Sequence, residues 1–345
     1  MREQPSMGLV CSYLLFAGCL SAPADAAARV AGERFEFAQV HMGTTFRLIF
    51  YAAHRDSANA AAAAAFARVA VIDARLSNYL PDSELNRLCR TAGSGRRVPL
   101  SDDMYHVLKA AQELALQTSG AFDVTVGPYT KLWRRARRRK QLPTAEQRER
   151  AAAAVGFQHL SLDHSTRTAT LLQPHMQIDL GGIAKGYAAD QARQELARLG
   201  IPRALVDASG DIALGDPPPG RPGWRIALTA LDQANGSGRM LMLSQAAVAT
   251  SGDAWQHVTI DGRRYSHIVD PSTGLGLTTP RTVTVIAPHA MLADSLASAL
   301  SVLGPAQGIK LLKHFPPASA LFVQSTDRGI VVAQSRGFPP PLAED

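Results

Sequence analysis

The pattern of apolar and polar side chains in the N-terminal part of the chain predicts a strand pair followed by two helices. Polarity alternates from Phe35 to Ala52, as in strands, with a turn at Met42-Gly43-Thr44. Residues Asn59 to Leu76 are rich in alanine, which has the highest helix propensity, and predict a helix. A second helix is predicted to begin after Ser101, a good N-cap, and to end at Gly120. Its predicted core face consists of Met104, Val107, Leu108, Ala111 and Leu114.

The middle and the end of the chain predict mostly short strands. Thr144 to Val155 predicts a helix, and Leu160 to Leu172 predicts a hairpin. Phe322 to Gln324 and Ile330 to Ala333 predict a closing hairpin, and the proline-rich tail, residues 338–345, is expected to be disordered. Further strands are predicted at Ala204 to Ala208, Trp224 to Leu228, Met240 to Leu243, His257 to Ile260 and Arg281 to Ile286.

The last predicted helix carries two oxygen-bearing side chains one turn apart. It runs from about His289 to Leu303, with Asp294, Ser298 and Ser301 opposite its apolar face. Residues four apart on a helix project from one stripe, and two hard oxygens suit Mg²⁺, which keeps water and substrate oxygens as its other ligands. By spacing alone, a polar face in solvent is the favoured interpretation. The apolar face consists of Leu292, Leu296, Ala299 and Leu303.

A strand, a tight turn and a helix are predicted between Ile178 and Asp190. Paired glycines, Gly181-Gly182, follow the apolar strand end, and a helical pattern begins at once after them. Glycines let a ligand approach bare backbone, and a helix N-terminus favours anions. The residues match neither a dinucleotide fingerprint nor a phosphate loop, since Lys185 is not followed by Ser or Thr. A ligand loop and an ordinary structural turn are therefore equally compatible with the spacing.

Composition and charge are those of a globular protein. The 345 residues are 46% hydrophobic and 19% charged, which allows a sizeable core in one large domain or two packed lobes. The net charge is +7, and basic residues concentrate between Arg134 and Lys140 instead of forming a traceable face, so no nucleic-acid partner is expected. Such a run is usually solvated, and a polyanion, anionic lipid or phosphate-bearing ligand is the less common interpretation.

The N-terminal residues 1–28 have the layout of an export signal. An apolar run from Gly8 to Leu20, too short to span a bilayer, follows Arg2 and precedes small residues. Cleavage near Ala26 is one route, and lipidation of Cys19 in a lipobox-like sequence is the other. The protein is accordingly expected in the periplasm or another extracytoplasmic space, and the lipidation route would hold it at the membrane through Cys19. Only Cys89 remains in the mature body, which excludes an internal disulfide and indicates a small buried hydrophobe.

Seven short motifs follow one another along the chain after residue 40. They are Met42-Gly43-Thr44, Ser77-Asn78-Tyr79, Gly120-Ala121-Phe122-Asp123, Asp179-Leu180-Gly181-Gly182-Ile183-Ala184-Lys185-Gly186-Tyr187-Ala188-Ala189-Asp190, Ser251-Gly252-Asp253, Ser266-His267-Ile268-Val269-Asp270-Pro271-Ser272-Thr273-Gly274 and Ala293-Asp294-Ser295-Leu296-Ala297-Ser298. In content and order they resemble the ApbE family, the FAD:protein FMN transferases. One departure is clear: where the family usually carries a short aromatic and glycine-bearing loop, this chain carries the basic run.

The resemblance implies a fold and a set of ligands. The expected fold is α+β, with two packed mixed α/β lobes, largely antiparallel sheets and a ligand cleft between the lobes, over residues 29–337. The expected ligands are FAD, as substrate, and Mg²⁺, held by Asp294, by the hydroxyl of Ser298 and by the backbone carbonyl of Gly182. Ser298 stands where the family commonly has Thr, so the oxygen is retained with a less constrained rotamer. The positions implied to line FAD are Met42, Tyr79, Ala121, Phe122, Asp123, Asp179, Lys185 and Ile268.

The resemblance also implies a reaction. A Ser or Thr hydroxyl of an exported or membrane-bound acceptor protein would attack the FMN-side phosphorus of FAD, and AMP would leave. His267 is the first candidate for the base that takes the hydroxyl proton, with Asp179 and Asp270 next. Lys185 would add a cation near the phosphates, although an ordinary surface lysine fits the sequence nearly as well. Two alternatives stay open: an FAD pyrophosphatase that yields FMN and AMP, and a flavin-binding carrier without chemistry.

Overall fold

The helices and strands are given for the residues that the computed structural model describes: 32–228, 239–252, 257–327 and 329–342. The helices are α1 Arg55–Leu76, α2 Glu84–Cys89, α3 Asp102–Gln117, α4 Gly127–Arg139, α5 Ala145–Ala152, α6 Ala184–Arg198 and α7 Ala290–Leu311. The strands are β1 Glu33–His41, β2 Thr44–Ala52, β3 Val98–Pro99, β4 Leu160–Asp163, β5 Thr168–Leu171, β6 Ala204–Ala208, β7 Asp211–Leu214, β8 Trp224–Ala227, β9 Met240–Leu243, β10 Ala247–Gly252, β11 His257–Ile260, β12 Arg263–Ser266, β13 Arg281–Ala287, β14 Ser319–Thr326 and β15 Gly329–Gln334. None of these helices has the length and apolar character needed to cross a bilayer. The predicted export segment, with Cys19, lies outside the described residues.

One eight-stranded sheet organises the chain. Its strand order is β1-β2-β6-β7-β10-β13-β14-β15, and every neighbouring pair is antiparallel. Three small antiparallel sheets accompany it, namely β3-β5-β4, β8-β9 and β11-β12. The prediction of an α+β fold with largely antiparallel sheets is confirmed.

The two faces of the large sheet bury different side chains because residues of a strand point alternately to opposite sides. On one face, Val206, Val283 and Phe322 join the main core, which α1, α6 and α7 cover. On the other face, Leu205 and Ile286 join a second apolar cluster with Trp224 of β8. The helical side therefore holds most of the apolar core.

The C-terminal tail belongs to this second cluster. Phe338 is 7% exposed within the cluster, and the backbone N–H of Leu342 donates to the carbonyl of Met240 in β9 at 2.7 Å. For residues 338–342 the expectation of disorder is therefore wrong. The aromatic side chain before the three prolines has an apolar surface to cover, which composition alone does not reveal.

A third apolar cluster lies apart from the other two and builds a smaller lobe. It combines Tyr129, Trp133 and Ala136 of α4 with Val258, Ile260 and Tyr265 of the β11-β12 hairpin. Trp133 and Tyr265 meet edge to face, with ring centroids 5.5 Å apart. The basic run thus forms the second half of helix α4, whose apolar face anchors it to the hairpin.

Most predicted elements appear in the structure, with informative differences. Ser101 caps α3 by accepting from the N–H of Met104 at 3.3 Å, and the predicted core face of α3 is buried. Helix α7 breaks where the prediction ended, at Gly304, whose φ is +74°, and then resumes with Pro305 at its start. Strands β3, β7, β10 and β12 were not predicted. The central strand β10 is buried on both faces at Ala247 to Ala249, so it shows no alternation to detect.

A buried carboxylate joins three helices of the main core. Asp103, at the start of α3, accepts from Arg68 Nη1 at 2.8 Å, from Arg75 Nη1 at 2.6 Å and from Tyr187 Oη at 2.6 Å. Its side chain is 3% exposed. Burial alone would raise the pKa of Asp103, but the hydrogen bonds from Arg68 and Tyr187 outweigh it and hold the pKa at about 2. The network therefore stabilises the fold only while Asp103 is ionised.

We predict that Asp103→Asn lowers the free energy of unfolding at pH 7 by about 2 to 4 kcal/mol, because it removes a buried charge partner of two arginines. The pKa of Asp103 lies below its ordinary value of 3.8 in the folded state. Its contribution is therefore complete above about pH 5 and disappears as the pH falls towards about 2. The stability difference between wild type and variant should shrink over the same range. Urea unfolding followed by circular dichroism at several pH values measures it.

Asp102→Asn is the matched control for this prediction. Asp102 is the neighbouring residue of the same helix, pairs with Arg167 and has a side chain that is 86% exposed. Its replacement should change stability by no more than about 0.5 kcal/mol, as expected for an exposed ion pair. Equal losses of unfolding free energy for the two variants would show that the Asp103 network stabilises the fold no more than an exposed ion pair does.

Candidate functional site

Helices α6 and α7 cap each other at their N-termini. Asp190 of α6 accepts from the backbone N–H groups of Ala290 and Met291, both at 2.9 Å. Asp294 of α7 in turn accepts from the backbone N–H of Gly186, in the first turn of α6, at 3.2 Å. Each carboxylate satisfies amides that a helix leaves unpaired and lies at the positive end of the partner helix. The exchange fixes the start of α6 against the start of α7.

Gly186 permits the close approach of these two helices. A Cβ atom at Gly186 would lie 2.2 Å from the carbonyl oxygen of Ala290, a distance that no side chain can occupy. The carbonyl belongs to the backbone, so it cannot turn aside. Gly186 is therefore required by packing, and its effect is to bring the glycine turn before α6 against the first turns of α7.

The predicted metal ligands meet at this crossing. A Cβ atom at Gly182 would lie 2.7 Å from Ser298 Oγ and 3.5 Å from the ring of Phe122. Ser298 stands one helical turn after Asp294, on the same stripe of α7. Three stretches far apart in the sequence, which contain Phe122, Gly182 and the pair Asp294 and Ser298, are thus brought together.

Asp294 does not lie on a solvent face, contrary to the favoured interpretation of its spacing. Its exposure is 5%, and Ser301, on the same side of α7, is 1% exposed. The helix is buried nearly all round because the large sheet covers one side and α6 the other. Burial raises the pKa of Asp294, against the opposing effects of Lys185 and of the Gly186 N–H.

Lys185 belongs to a charged cluster beside Asp294. Its ammonium group donates to the carboxylate of Asp211, at the start of β7. Burial lowers the pKa of Lys185, but the carboxylates of Asp294 and Asp211 outweigh this and the net shift is upward. Burial raises the pKa of Asp211, and repulsion from Asp294 adds to the rise. One ammonium group thus faces two buried carboxylates, an excess of negative charge that a cation would offset.

The residues at the crossing fit a hard divalent cation. Asp294 uses one oxygen for Gly186, and among the described residues no hydrogen-bond donor reaches the other. The Ser298 hydroxyl and the Gly182 backbone supply neutral oxygens nearby. No group of three or more His, Cys, Asp or Glu side chains suited to a metal occurs in the described ranges. A single carboxylate with neutral oxygens agrees with Mg²⁺, which takes few protein ligands, and disfavours Zn²⁺.

Asp179 sits at the opposite end of the glycine turn and is fully engaged. Its Oδ1 accepts from the N–H of Gly181 at 3.0 Å. Its Oδ2 accepts from Thr130 Oγ1 at 2.8 Å and from Arg134 Nη2 at 3.0 Å, both on α4. The guanidinium of Arg134 also stacks on the ring of Tyr79, 4.7 Å from its centroid, and Tyr79 is 74% exposed. Arg134 therefore links two predicted FAD positions that the sequence places far apart.

The remaining predicted FAD positions have distinct environments. Met42 adopts a left-handed turn with φ +52°, and its N–H donates to Asp73 Oδ2 at 2.7 Å. The carboxylate of Asp123 accepts from the backbone and hydroxyl of Thr125, both at 2.7 Å, and is buried. These bonds hold the Asp123 side chain within its own loop, and the preceding residue of that loop is Phe122. Ala121, between them and Gly120, is half-buried.

His267 and Ile268 follow strand β12 and are held by α4. Trp133 Nε1 donates to the carbonyl of Ser266 at 2.9 Å, and the N–H of Ile268 donates to Ser266 Oγ at 3.1 Å. His267, between these anchored residues, is half-buried. Since the next residue of α4, Arg134, binds Asp179, consecutive residues of one helix join the His267 segment to the glycine turn. Helix α4 therefore holds the segment that contains His267 and Ile268 near Asp179.

Three residues that contribute to the candidate site were not predicted from the sequence. Thr130 and Arg134 both bind Asp179 from helix α4, and the sequence shows this stretch only as the basic run that begins at Arg134 and the residues before it. Asp211, the partner of Lys185, has no motif of its own, and only the register of β7 in the sheet brings it there. Asp190 ends the central motif, which was the one available signal for its capping role.

Comparison with known proteins identifies the family of this chain. The model of the ApbE family matches residues 42–322. A protein of Haemophilus influenzae named FAD:protein FMN transferase is 34% identical over 277 residues, 77% of this chain and 79% of that protein. One of Klebsiella pneumoniae with the same name is 31% identical over 318 residues, 89% of this chain and 88% of that protein.

Solved structures give the same result. The flavin transferase ApbE from Vibrio cholerae superposes with a TM-score of 0.80 at 30% identity, covering 90% of this chain and 99% of that one. The apo form of the flavinyl transferase ApbE from Pseudomonas stutzeri superposes with a TM-score of 0.78 at 30% identity, covering 88% and 95%. Sequence and fold therefore agree, and this chain belongs to the ApbE family.

Proposed function

We propose that this protein transfers FMN from FAD to a Ser or Thr hydroxyl of a target protein, depends on Mg²⁺ and releases AMP. Its relatives are named FAD:protein FMN transferases, which supports the transfer of FMN to protein. The observation that carries the proposal is the meeting of Gly182, Asp294 and Ser298 at the crossing of α6 and α7. Such a set of oxygens suits an ion that binds pyrophosphate oxygens.

The reaction requires a proton acceptor beside the phosphorus that is attacked. The acceptor hydroxyl forms the new P–O bond, the bond to the AMP oxygen breaks, and the hydroxyl proton passes to a base. His267 is the best candidate because imidazole is basic near neutral pH. Both oxygens of Asp179 already accept hydrogen bonds, and Asp270 Oδ1 accepts from the N–H and hydroxyl of Ser272 at 2.8 and 2.7 Å. These bonds disfavour either carboxylate as the base.

The residues around the glycine turn would offset the negative charge of the FAD phosphates. Asp294, Ser298 and Gly182 would hold Mg²⁺, which when bound neutralises phosphate oxygens and makes them more open to attack. Lys185, held by Asp211, adds a fixed positive charge beside the same region. The exposed ring of Tyr79 offers an aromatic surface to the flavin or the adenine, whereas the ring of Phe122 is buried in the main core beside Gly182.

We predict that Asp294→Asn lowers Mg²⁺-dependent turnover of FAD by about 10²-fold or more, because it removes the only charged metal ligand. Asparagine keeps an oxygen that can accept from Gly186, so the helix cap is retained, whereas alanine would remove cap and ligand together. Covalent flavin on an acceptor protein, detected by in-gel fluorescence, and AMP, quantified by chromatography, measure the two products.

The matched control is Ser298→Thr, which keeps the hydroxyl and should change turnover only mildly. Full Mg²⁺-stimulated activity of Asp294→Asn would contradict the metal site. The same assay separates the functions that remain open. AMP with covalent flavin indicates transfer, AMP with free FMN indicates a pyrophosphatase, and intact bound FAD indicates a carrier.

We predict that His267→Ala lowers the rate of FMN transfer by roughly 10² to 10⁴ and leaves FAD affinity within a few-fold. The loss should shrink as the pH rises, because hydroxide or an ionised acceptor partly replaces the missing base. Transfer rates and FAD dissociation constants are compared from about pH 6 to pH 9, a range that brackets the ordinary pKa of histidine.

His314→Ala is the control for this experiment. His314 is exposed and follows the C-terminal end of α7, the end opposite Asp294, so its replacement should leave both quantities unchanged. If the transfer rate of His267→Ala fell only in proportion to lost FAD affinity at every pH, His267 would be a binding residue and the base would be another group.

We also propose that the protein acts outside the cytoplasm, from the layout of residues 1–28. The mature protein isolated from its native cells should begin either at a lipid-bearing Cys19 or close after Ala26. Intact-mass spectrometry distinguishes the two, and Cys19→Ala should release the protein from membranes only in the first case. A mature protein that retains residues 1–28 would contradict export.

A further inference from the structure

A basic groove lies beside the candidate site and takes no part in the chemistry above. It has a volume of about 560 Å³, and its lining residues are Arg134, Arg137, Arg138, Lys140, His257 and Val258. One wall is the second half of α4, and the other is strand β11. Because Arg134 also binds Asp179 and stacks on Tyr79, the groove is continuous with the region where FAD is proposed to bind.

Helix α4 presents three different faces along its basic half. Tyr129, Trp133 and Ala136 are buried against the β11-β12 hairpin. Arg134, Arg137 and Arg138 follow on the adjoining face and line the groove. At 100° per residue, Arg135 and Arg139 fall on the third, outer face, and both are exposed. The helix therefore offers two sets of arginines that differ only in whether they face the groove.

Of the four Arg and Lys side chains that line the groove, only Arg134 pairs with a described carboxylate, that of Asp179. In the described part of the chain, no carboxylate lies within ion-pair distance of Arg137, Arg138 or Lys140. On the opposite wall, the ring of His257 lies 3.2 Å from the guanidinium of Arg264. Basic residues in the last turn suit the helix dipole, but that effect does not require arginines on successive turns, which repel one another. An external anionic partner accounts better for three such cations on one concave surface.

The groove ends next to the candidate base. His257, in its lining, pairs directly with Ser266 across the β11-β12 hairpin, and His267 is the next residue. The acceptor protein must bring a hydroxyl to this position for the proposed transfer, so it has to contact the surface that borders His267. Lys185 and the candidate metal ligands, which we propose to bind the phosphates of FAD, are not among the residues that line the groove.

We propose that this groove is the docking site for an acidic segment of the acceptor protein, an inference that rests on the proposed transfer of FMN to a protein hydroxyl. Carboxylates of the segment pair with Arg137, Arg138 and Lys140 and align its Ser or Thr with His267. Pairing at the edge of a site contributes to selection and to the rate of association, and it weakens as salt screens it.

The test compares charge reversal on the two faces of α4. A fluorescein-labelled decaglutamate peptide is titrated with wild type, Arg137→Glu/Arg138→Glu and Arg135→Glu/Arg139→Glu, and binding is followed by anisotropy at low and high salt. The two double variants have the same net charge. We expect about tenfold or more weaker binding for the groove variant, at most a few-fold for the outer-face variant, and weaker binding of all three at high salt. Arg137→Gln/Arg138→Gln should be intermediate.

FAD affinity, FMN transfer and binding to vesicles with anionic phospholipid are measured on the same preparations. Unchanged FAD affinity in the groove variant is expected. The docking site would be overturned if wild type did not bind the peptide or if the two double variants lost peptide binding equally. It would also be overturned if the groove variant lost FAD affinity in parallel with peptide binding, or if its loss were confined to vesicle binding. A wild type that binds the peptide but transfers no FMN would instead overturn the proposed function, so the two failures are distinguishable.

Discussion

The site depends on the reciprocal capping of α6 and α7, in which an aspartate of each helix binds N-terminal amides of the other. Asp190 holds the first amides of α7, Asp294 holds an amide of the first turn of α6, and Gly186 lets the two backbones meet. These contacts place the glycine turn against α7, so Gly182 and Ser298 meet as a consequence. The position of the candidate metal ligands follows from how two helices satisfy their N-termini.

Asp294 therefore serves structure and proposed chemistry at once. One carboxylate oxygen is used by the helix cap, and the other remains open towards the site. Burying a carboxylate is costly unless it has partners, and here Gly186, Lys185 and a bound cation would share that role. Removing or displacing the Asp294 carboxylate would therefore affect both the position of α6 and the proposed binding of the cation.

Helix α4 connects the two sides of the site. Its apolar face packs in the third cluster, Trp133 holds the strand end before His267, and Thr130 and Arg134 hold Asp179. The arginines beyond these contacts leave a positive surface at the edge of the site. One helix thus combines an anchoring role with the surface at which we propose that the acceptor protein binds.

The sequence by itself determined the local structure and the family. Ser101 marked the start of α3, apolar spacing marked its core, and the ordered motifs indicated the ApbE family, because caps, periodicity and short motifs depend on neighbouring residues. Only the tertiary structure decided that Asp294 is buried rather than solvated, that Asp211 partners Lys185 and that Phe338 packs on the sheet. These features join residues distant along the chain, and a one-dimensional pattern contains no signal for the helix crossing or strand register that brings them together.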